Sequence, residues 1–489
     1  MLDRAGTIVT WTRTWRTIMI MKATPQSGPM YLSLAGAMIV GCYLRLHNID
    51  THGLWLDEAF SVAVSDPDNS FKRVYERTLL DVHPPLYQAL LWLFYKAFGY
   101  AEISGRYLSV FFGVLLIPSV FYLGWKFFGR RTGLICAWLV AVNFYLITYS
   151  QETRSYALLV LLVVLSFLVF LTLVHNPTAL NAVLYAVVTA MLVNTHYFGF
   201  FPVLAQIGLF YLIYGRKAFR MRMILMFLAV GLFVFLSLLP SIGYIVANIE
   251  RSGFWVPAPD DNFFTELFAL YFGNKTLAMM VAILMMFGLL DILKGSERKE
   301  FLWFFILWIG VCAMVPYMRS FYIQPVLTMR NLIVLLPALL MLAGYGLGLL
   351  RDQVLFYSVM IVVFCFSLTP LYAGVKPVYT FRNQLPPVSQ MRDVIQLIAG
   401  ECADRAVYSF AHLEAQGYAK VLGLELKVKS VSDMEKDIES AAQPMEFCIL
   451  GTHGTWIPDA EYRKEHGYHF VDERAVGDSS IVRYQTDIR

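Results

Sequence analysis

A succession of long apolar runs separated by short polar breaks leaves this chain few ways to fold. The runs lie near 30–49, 107–128, 133–150, 156–174, 181–196, 198–214, 223–248, 276–294, 301–318, 331–350 and 353–373. In lipid every backbone N–H and C=O must be satisfied within the segment, so apolar runs of about 20 residues become membrane-spanning helices. Of the 489 residues 58% are hydrophobic and only 15% charged, a balance outside that of soluble domains. The expected fold is an all-α polytopic membrane protein with about eleven transmembrane helices, or as many as about thirteen. The net charge of +4 is small and scattered, which speaks for topology and against nucleic acid as a partner.

Charge placement orients the runs, because Lys and Arg in short loops stay cytoplasmic. The N-terminus carries Arg4, Arg13, Arg16 and Lys22 with no small-residue cleavage site behind them, and reads as a retained cytoplasmic end. The run 84–98 is short, opens on Pro84-Pro85 and contains Lys96. If it does not cross, then Arg130-Arg131, the Arg216, Lys217, Arg220 and Arg222 cluster, the Lys294, Arg298 and Lys299 loop, and Arg351 all fall inside. If it crosses, all four groups move outside. An interfacial or re-entrant helix is therefore expected there. The same parity collects 50–83, Ser150–Tyr156, Asn194–Gly199, 249–275 and Arg319–Arg330 on the outer face.

After about Lys376 charged residues become frequent, and β-prone runs (Arg405–Phe410, Leu424–Val431, Glu446–His453, Ser479–Gln485) alternate with helix-like stretches. The expected organisation is a membrane domain over 1–375 and a small soluble, extracytoplasmic α/β domain over 376–489. Six cysteines show no CxxC spacing. Cys402 and Cys448 can pair if their region faces an oxidising compartment, and the others read as small buried hydrophobes.

Several polar residues stand where lipid-facing sequence does not need them. Asp57 and Glu58 follow the apolar Trp55-Leu56. Such carboxylates either act on an acceptor hydroxyl or stabilise a helix N-terminus. Asp81 and His83 precede the proline pair, where His83 reads as a metal or phosphate ligand or as an ordinary interface histidine. Glu152, Arg154 and Tyr156 end a hydrophobic run; they are either a local ion pair or a phosphate clamp with a second carboxylate. His196-Tyr197 is either an ordinary polar turn at a helix end or a pair of rings for stacking on a sugar. Arg330, Arg251 and Lys275 are phosphate partners or solvated interface cations.

These motifs resemble a known family. Leu54-Trp55-Leu56-Asp57-Glu58-Ala59-Phe60-Ser61 and His83-Pro84-Pro85-Leu86-Tyr87 are followed by Phe98-Gly99, Arg106–Ser109, Phe128–Gly133, Ser150–Ala157 and Thr195–Gly199. Over residues 50–210 this order resembles the bacterial family-39 glycosyltransferases. Those are polytopic GT-C enzymes related to protein O-mannosyltransferases and to the aminoarabinose transferase of lipid A. The C-terminal region resembles nothing we can name.

The resemblance implies a multi-pass protein of the bacterial inner membrane that moves a sugar from a polyprenyl-phosphate donor to an extracytoplasmic glycan, lipid or protein acceptor by inverting displacement. It maps the family's acidic pair onto Asp57 and Glu58, with Asp57 as base or acceptor-orienting group. His83 falls where the aminoarabinose branch has a metal-contacting Glu, so a divalent metal at His83 and Asp81 is an open expectation. Donor and phosphate binding would fall to Arg154, Arg330, Glu152, Tyr156 and His196. The rival from another class is a transporter or flippase of lipid-linked sugars. Against it, the apolar runs lack paired Gly/Pro-broken segments in repeated halves.

Overall fold

The computed structural model describes residues 27–79, 83–214, 221–250, 256–295, 299–372, 391–441, 443–452, 456–477 and 479–486. Helices cover every expected apolar run. Gly28–Leu46, Ser104–Phe128, Tyr156–His175, Met221–Ala247, Lys275–Lys294, Glu300–Tyr322 and Arg330–Gly348 are each long and apolar enough to cross a bilayer. The pair Arg130–Val142 and Phe144–Ser150, bent by 57°, makes an eighth if it is one span. Ala179–Val193, Tyr197–Leu212 and Gln353–Thr369 occupy the remaining runs as shorter apolar helices. The protein is thus a multi-pass membrane protein. One short apolar helix was not expected: Phe263–Phe272 lies inside a stretch read as outer loop.

The bend at Asn143 has a local cause. Its backbone is extended (φ −67°, ψ 120°), its Oδ1 accepts the Leu146 N–H at 3.0 Å, and its Nδ2 donates to the Tyr271 carbonyl at 3.0 Å. The carbonyls left over at the end of the first half are taken by the fully buried Arg45, which donates to Ala141 O at 3.0 Å and Val140 O at 3.2 Å. A cation on the last carbonyls of a helix also opposes the negative end of its dipole. Arg131 donates to Leu350 O at 2.8 Å, which brings together two of the positive loops that charge parity assigns to one face.

The chain divides into two compact units, one made of Met1–Arg45, Phe111–Thr148 and Tyr156–Pro377, the other of Leu46–Val110, Tyr149–Ser155 and Val378–Arg489. The second unit carries the helices Leu56–Val64, Phe71–Leu79 and Leu86–Phe98. The last of these has 13 residues, about 20 Å of helix at 1.5 Å per residue, against the roughly 30 Å of a bilayer's hydrocarbon core.

The same unit holds a five-stranded sheet of order β2-β1-β3-β5-β4, with β1 Ala406–Ser409, β2 Val428–Ser430, β3 Glu446–Thr452, β4 Tyr468–Val476 and β5 Ser479–Thr486. β1 pairs in parallel with β2 and β3, through the crossover helices His412–Val421 and Val431–Glu439. β5 and β4 continue the sheet antiparallel. Val431, Met434 and Ile438 recur at helical spacing and bury one stripe against Tyr408, Phe447, Ile449, Val482 and Tyr484. β4 is the strand that the sequence does not announce: Tyr-His-Phe-Val-Asp-Glu-Arg-Ala-Val is polar along an exposed sheet edge and shows little alternation.

A disulfide joins Cys402, just past the helix Met391–Glu401, to Cys448 in β3, 46 residues on. The pairing left open by the cysteine spacing is therefore made. Alkylation followed by peptide mapping should find Cys402 and Cys448 unreactive until a reductant is added. Replacing both by serine should cost about 2–4 kcal/mol of the domain's stability, read as a lowered melting temperature.

Candidate active site

Everything around Asp57 is arranged by one buried ion pair. Glu58 is 1% exposed, and both its oxygens face Arg106: Nε donates to Oε1 at 3.0 Å and Nη2 to Oε2 at 2.9 Å. Oε1 also accepts the Thr153 N–H at 2.8 Å, and Oε2 the Trp55 N–H at 3.4 Å. The last bond is the reach-back of a capping-box glutamate from the third helical position; Trp55 itself has no side-chain acceptor for the other half. Arg106 spends its remaining donors on the carbonyls of Ile49 (2.7 Å), His52 (2.8 Å) and Gly53 (3.1 Å). One guanidinium thus gathers the loop before the Leu56–Val64 helix, that helix's third residue and, through Glu58, the turn at 153.

Asp57 stands one residue earlier with a different environment. Its side chain is 31% exposed, and Arg154 Nη2 lies 3.8 Å from Oδ2. Arg154, 3% exposed, donates from Nη1 to the Asp57 carbonyl at 3.0 Å and to Ser61 Oγ at 3.1 Å. Its Nη2 reaches His83 Nδ1 at 3.4 Å, so that ring nitrogen is the acceptor of the pair. Ser61 Oγ in turn donates to the Asp57 carbonyl at 3.0 Å. Asp57, Arg154 and His83, from three separate stretches of sequence, meet within one cluster. Ser61 joins them.

Behind the cluster, Glu152 is 6% exposed, and its carbonyl accepts the Arg154 N–H at 2.8 Å, closing the tight turn that aims the guanidinium. Tyr87 is fully buried and shares a hydrogen bond with Ser109 at 3.0 Å. Burial pushes its phenol well above the ordinary tyrosine range, against the smaller pull of the Ser109 hydrogen bond.

Four expected residues belong to the other unit. Tyr156 begins the helix Tyr156–His175, its ring 5.9 Å from that of His196. His196 is the N-cap of the turn Tyr197–Gly199, where its Nδ1 accepts the Phe198 N–H at 3.1 Å. This bond leaves the ring proton of the neutral form on Nε2. Arg330 opens the turn Arg330–Leu335, and is half-buried. Lys275 starts the helix Lys275–Lys294. Asp81 and Arg251 lie outside the described residues. Among the described residues no group of three or more His, Cys, Asp or Glu side chains is placed to hold a metal, and His83 Nδ1 faces a guanidinium.

Arg106 and Ser61 are the site residues that the sequence reading passed over. Arg106 appears there only inside the Arg106–Ser109 motif. The signal was present, since a lone cation at the start of an apolar run needs a partner or a function.

The fold is that of the GT-C membrane glycosyltransferases. Residues 82–240 match the family model of dolichyl-phosphate-mannose-protein mannosyltransferases. Over 94% of this chain and 98% of the other, the structure is similar to ArnT from Cupriavidus metallidurans in the apo state, with TM-score 0.59 and 12% identity. The same ArnT bound to undecaprenyl phosphate matches over the same shares with TM-score 0.57 and 15% identity. The oligosaccharyltransferase AglB from Archaeoglobus fulgidus, in complex with an inhibitory peptide and a dolichol-phosphate, matches over 81% of this chain and 64% of its own, with TM-score 0.54 and 12% identity. No curated protein matches in sequence.

Breaking the Glu58–Arg106 pair from either side leaves a buried charge uncompensated, at a cost of about 3–5 kcal/mol. Glu58→Gln and Arg106→Met should each lower the melting temperature of the detergent-solubilised protein. The double variant should fall well short of the sum of the two losses, because each single change already breaks the same pair.

Proposed function

We propose that the protein is a glycosyltransferase of the bacterial inner membrane that takes a sugar from a polyprenyl-phosphate donor and places it on an extracytoplasmic acceptor. The observation that carries this is the contrast between the two adjacent acids. Glu58 is buried with both oxygens committed, which suits holding; Asp57 is partly exposed beside a buried guanidinium, which suits chemistry. ArnT and AglB, whose structures are similar, bind undecaprenyl phosphate and dolichol-phosphate respectively. That supports a lipid-phosphate donor here.

In this reading Asp57 accepts the proton of the acceptor hydroxyl. The acceptor oxygen bonds to the anomeric carbon as the bond from that carbon to the phosphate oxygen breaks, and the electron pair leaves with the polyprenyl phosphate. A single displacement of this kind inverts configuration and passes through an oxocarbenium-like state. Glu58 is assigned to holding the helix start and not to proton transfer, because each of its oxygens already accepts two N–H donors. Arg154 has Nη1 spent on Asp57 and Ser61 and Nη2 turned to His83. We therefore assign it to aiming Asp57 and to supplying positive field where the phosphate departs. Arg330, His196 and Tyr156 are proposed for donor binding on the family resemblance alone.

Orientation rests on chemistry as well as charge. The Cys402–Cys448 disulfide belongs in an oxidising compartment, which supports a C-terminal domain outside the cytoplasm, with the N-terminus inside. A cysteine introduced by Glu461→Cys, at an exposed position, should be labelled by a membrane-impermeant maleimide added to intact cells, as located by peptide mapping. Protection from outside and labelling only after lysis would reverse the orientation.

For the activity, the purified chain is supplied with a panel of polyprenyl-phosphate sugars, and release of the lipid phosphate is followed by mass spectrometry. Asp57→Asn should lower turnover by about 10²–10⁴-fold, the usual contribution of a general base. Full turnover by Asp57→Asn with every accepted donor would falsify the role given to Asp57. Donor that crosses a vesicle membrane without being cleaved would favour a flippase.

A further inference from the structure

Away from the Asp57 cluster, the second unit contains a polar relay assembled from the two ends of the sequence. The Leu54 N–H donates to the Tyr418 hydroxyl at 2.8 Å, and that hydroxyl donates to Glu102 Oε1 at 2.5 Å. Arg392 closes it: Nε and Nη2 donate to the same Oε1 at 3.1 and 2.9 Å, and Nη2 also donates to the Asp50 carbonyl at 3.2 Å. Tyr418 is fully buried. Burial and the neighbouring Glu102 carboxylate push its phenol well above the ordinary range, so the hydroxyl keeps its proton and its direction is fixed.

The helix that carries Tyr418, His412–Val421, lies directly on the helix that begins beside Asp57. A Cβ at Gly417 would stand 2.3 Å from the Ala63 Cβ, and one at Gly53 would stand 2.8 Å from the Tyr418 oxygen. Only glycine lets the backbones come this close. Beyond the relay, Lys420 Nζ reaches Asp66 Oδ2 and Asp68 Oδ2, each at 2.6 Å.

The start of the Leu56–Val64 helix has little to hold it from within. Trp55 has no side-chain acceptor for the first-turn N–H groups, and the reach-back from Glu58 is long, at 3.4 Å. Arg106 holds the carbonyls of the preceding loop. Tyr418 holds the Leu54 N–H, three residues before Asp57.

We propose that Tyr418, Glu102 and Arg392 are positioning residues for sugar transfer, through which the C-terminal domain sets the angle at which Asp57 meets the acceptor. This rests on the role given to Asp57 above. The domain is then a working part of the site and not an appended binding module.

The test uses the full-length protein and two readouts: steady-state turnover of the lipid-linked donor, and hydrogen–deuterium exchange of a peptide spanning 47–62. Tyr418→Phe keeps the ring and removes both hydrogen bonds of the hydroxyl. It should lower kcat about tenfold, the equivalent of roughly 1.4 kcal/mol, with the KM for donor changed less than about twofold and exchange of the peptide clearly faster. Glu102→Gln should do the same, and the double variant should be no worse than about the weaker single, since both changes break one relay. Lys420→Met, at the same interface but outside the relay, should leave kcat within about twofold of wild type. Wild-type kcat in Tyr418→Phe, or equal losses in Lys420→Met, overturns the proposal. If the wild type cleaves no lipid-linked sugar, the proposed function has failed and exchange alone decides the relay. Unchanged exchange in both Tyr418→Phe and Glu102→Gln then overturns it, and faster exchange in both upholds its mechanical part.

Discussion

The interaction on which the rest depends is the buried pair between Glu58 and Arg106. Placing two charges where neither meets water costs several kcal/mol per ion unless every donor and acceptor finds a partner. Here they do, and the partners are mostly backbone groups from the 49–55 loop and the turn at 153. The carbonyls of Ile49, His52 and Gly53, the amides of Trp55 and Thr153, and the two side chains form one closed set. Such a set is poor as a source of net stability and good at specifying one arrangement. The residue before Glu58, Asp57, inherits that arrangement while remaining partly exposed.

Placing Asp57 next to Glu58 produces two carboxylates with opposite duties from one dipeptide. On a helix, neighbouring residues point about 100° apart, so the pair cannot share an environment. Glu58 turns into the protein and meets Arg106. Asp57 turns toward Arg154, whose other contacts keep it from collapsing into a tight bidentate bridge, and the separation stays at 3.8 Å. A carboxylate held at that distance retains room for a hydroxyl. Direct, fully formed pairing would remove the room.

Much of this was legible in the sequence. Lipid imposes a strong rule on backbone polar groups, so the apolar runs became helices where expected. The resemblance over 50–210 pointed at Asp57, Arg154 and His83 before any geometry was available, and the geometry brings these three together. The illegible parts have physical causes. Glu58 and Asp57 look alike in sequence because the distinction lies in which side of a helix faces Arg106. β4 escaped because an exposed edge strand needs no alternation. The pairing of Tyr418 with Leu54 and Glu102 escaped because no local pattern encodes a contact between residues more than 300 positions apart.

That separation bears on how the protein is made. The Leu54 amide leaves the ribosome 364 residues before the tyrosine that receives it. At synthesis rates of roughly 5–20 residues per second the interval is about 20–70 s. All the apolar helices after the first are synthesised during that interval. The acid that would do the chemistry is therefore among the first residues outside the opening helix and among the last to be fixed. A chain cut short near its end would carry the complete set of membrane helices and still lack a finished site.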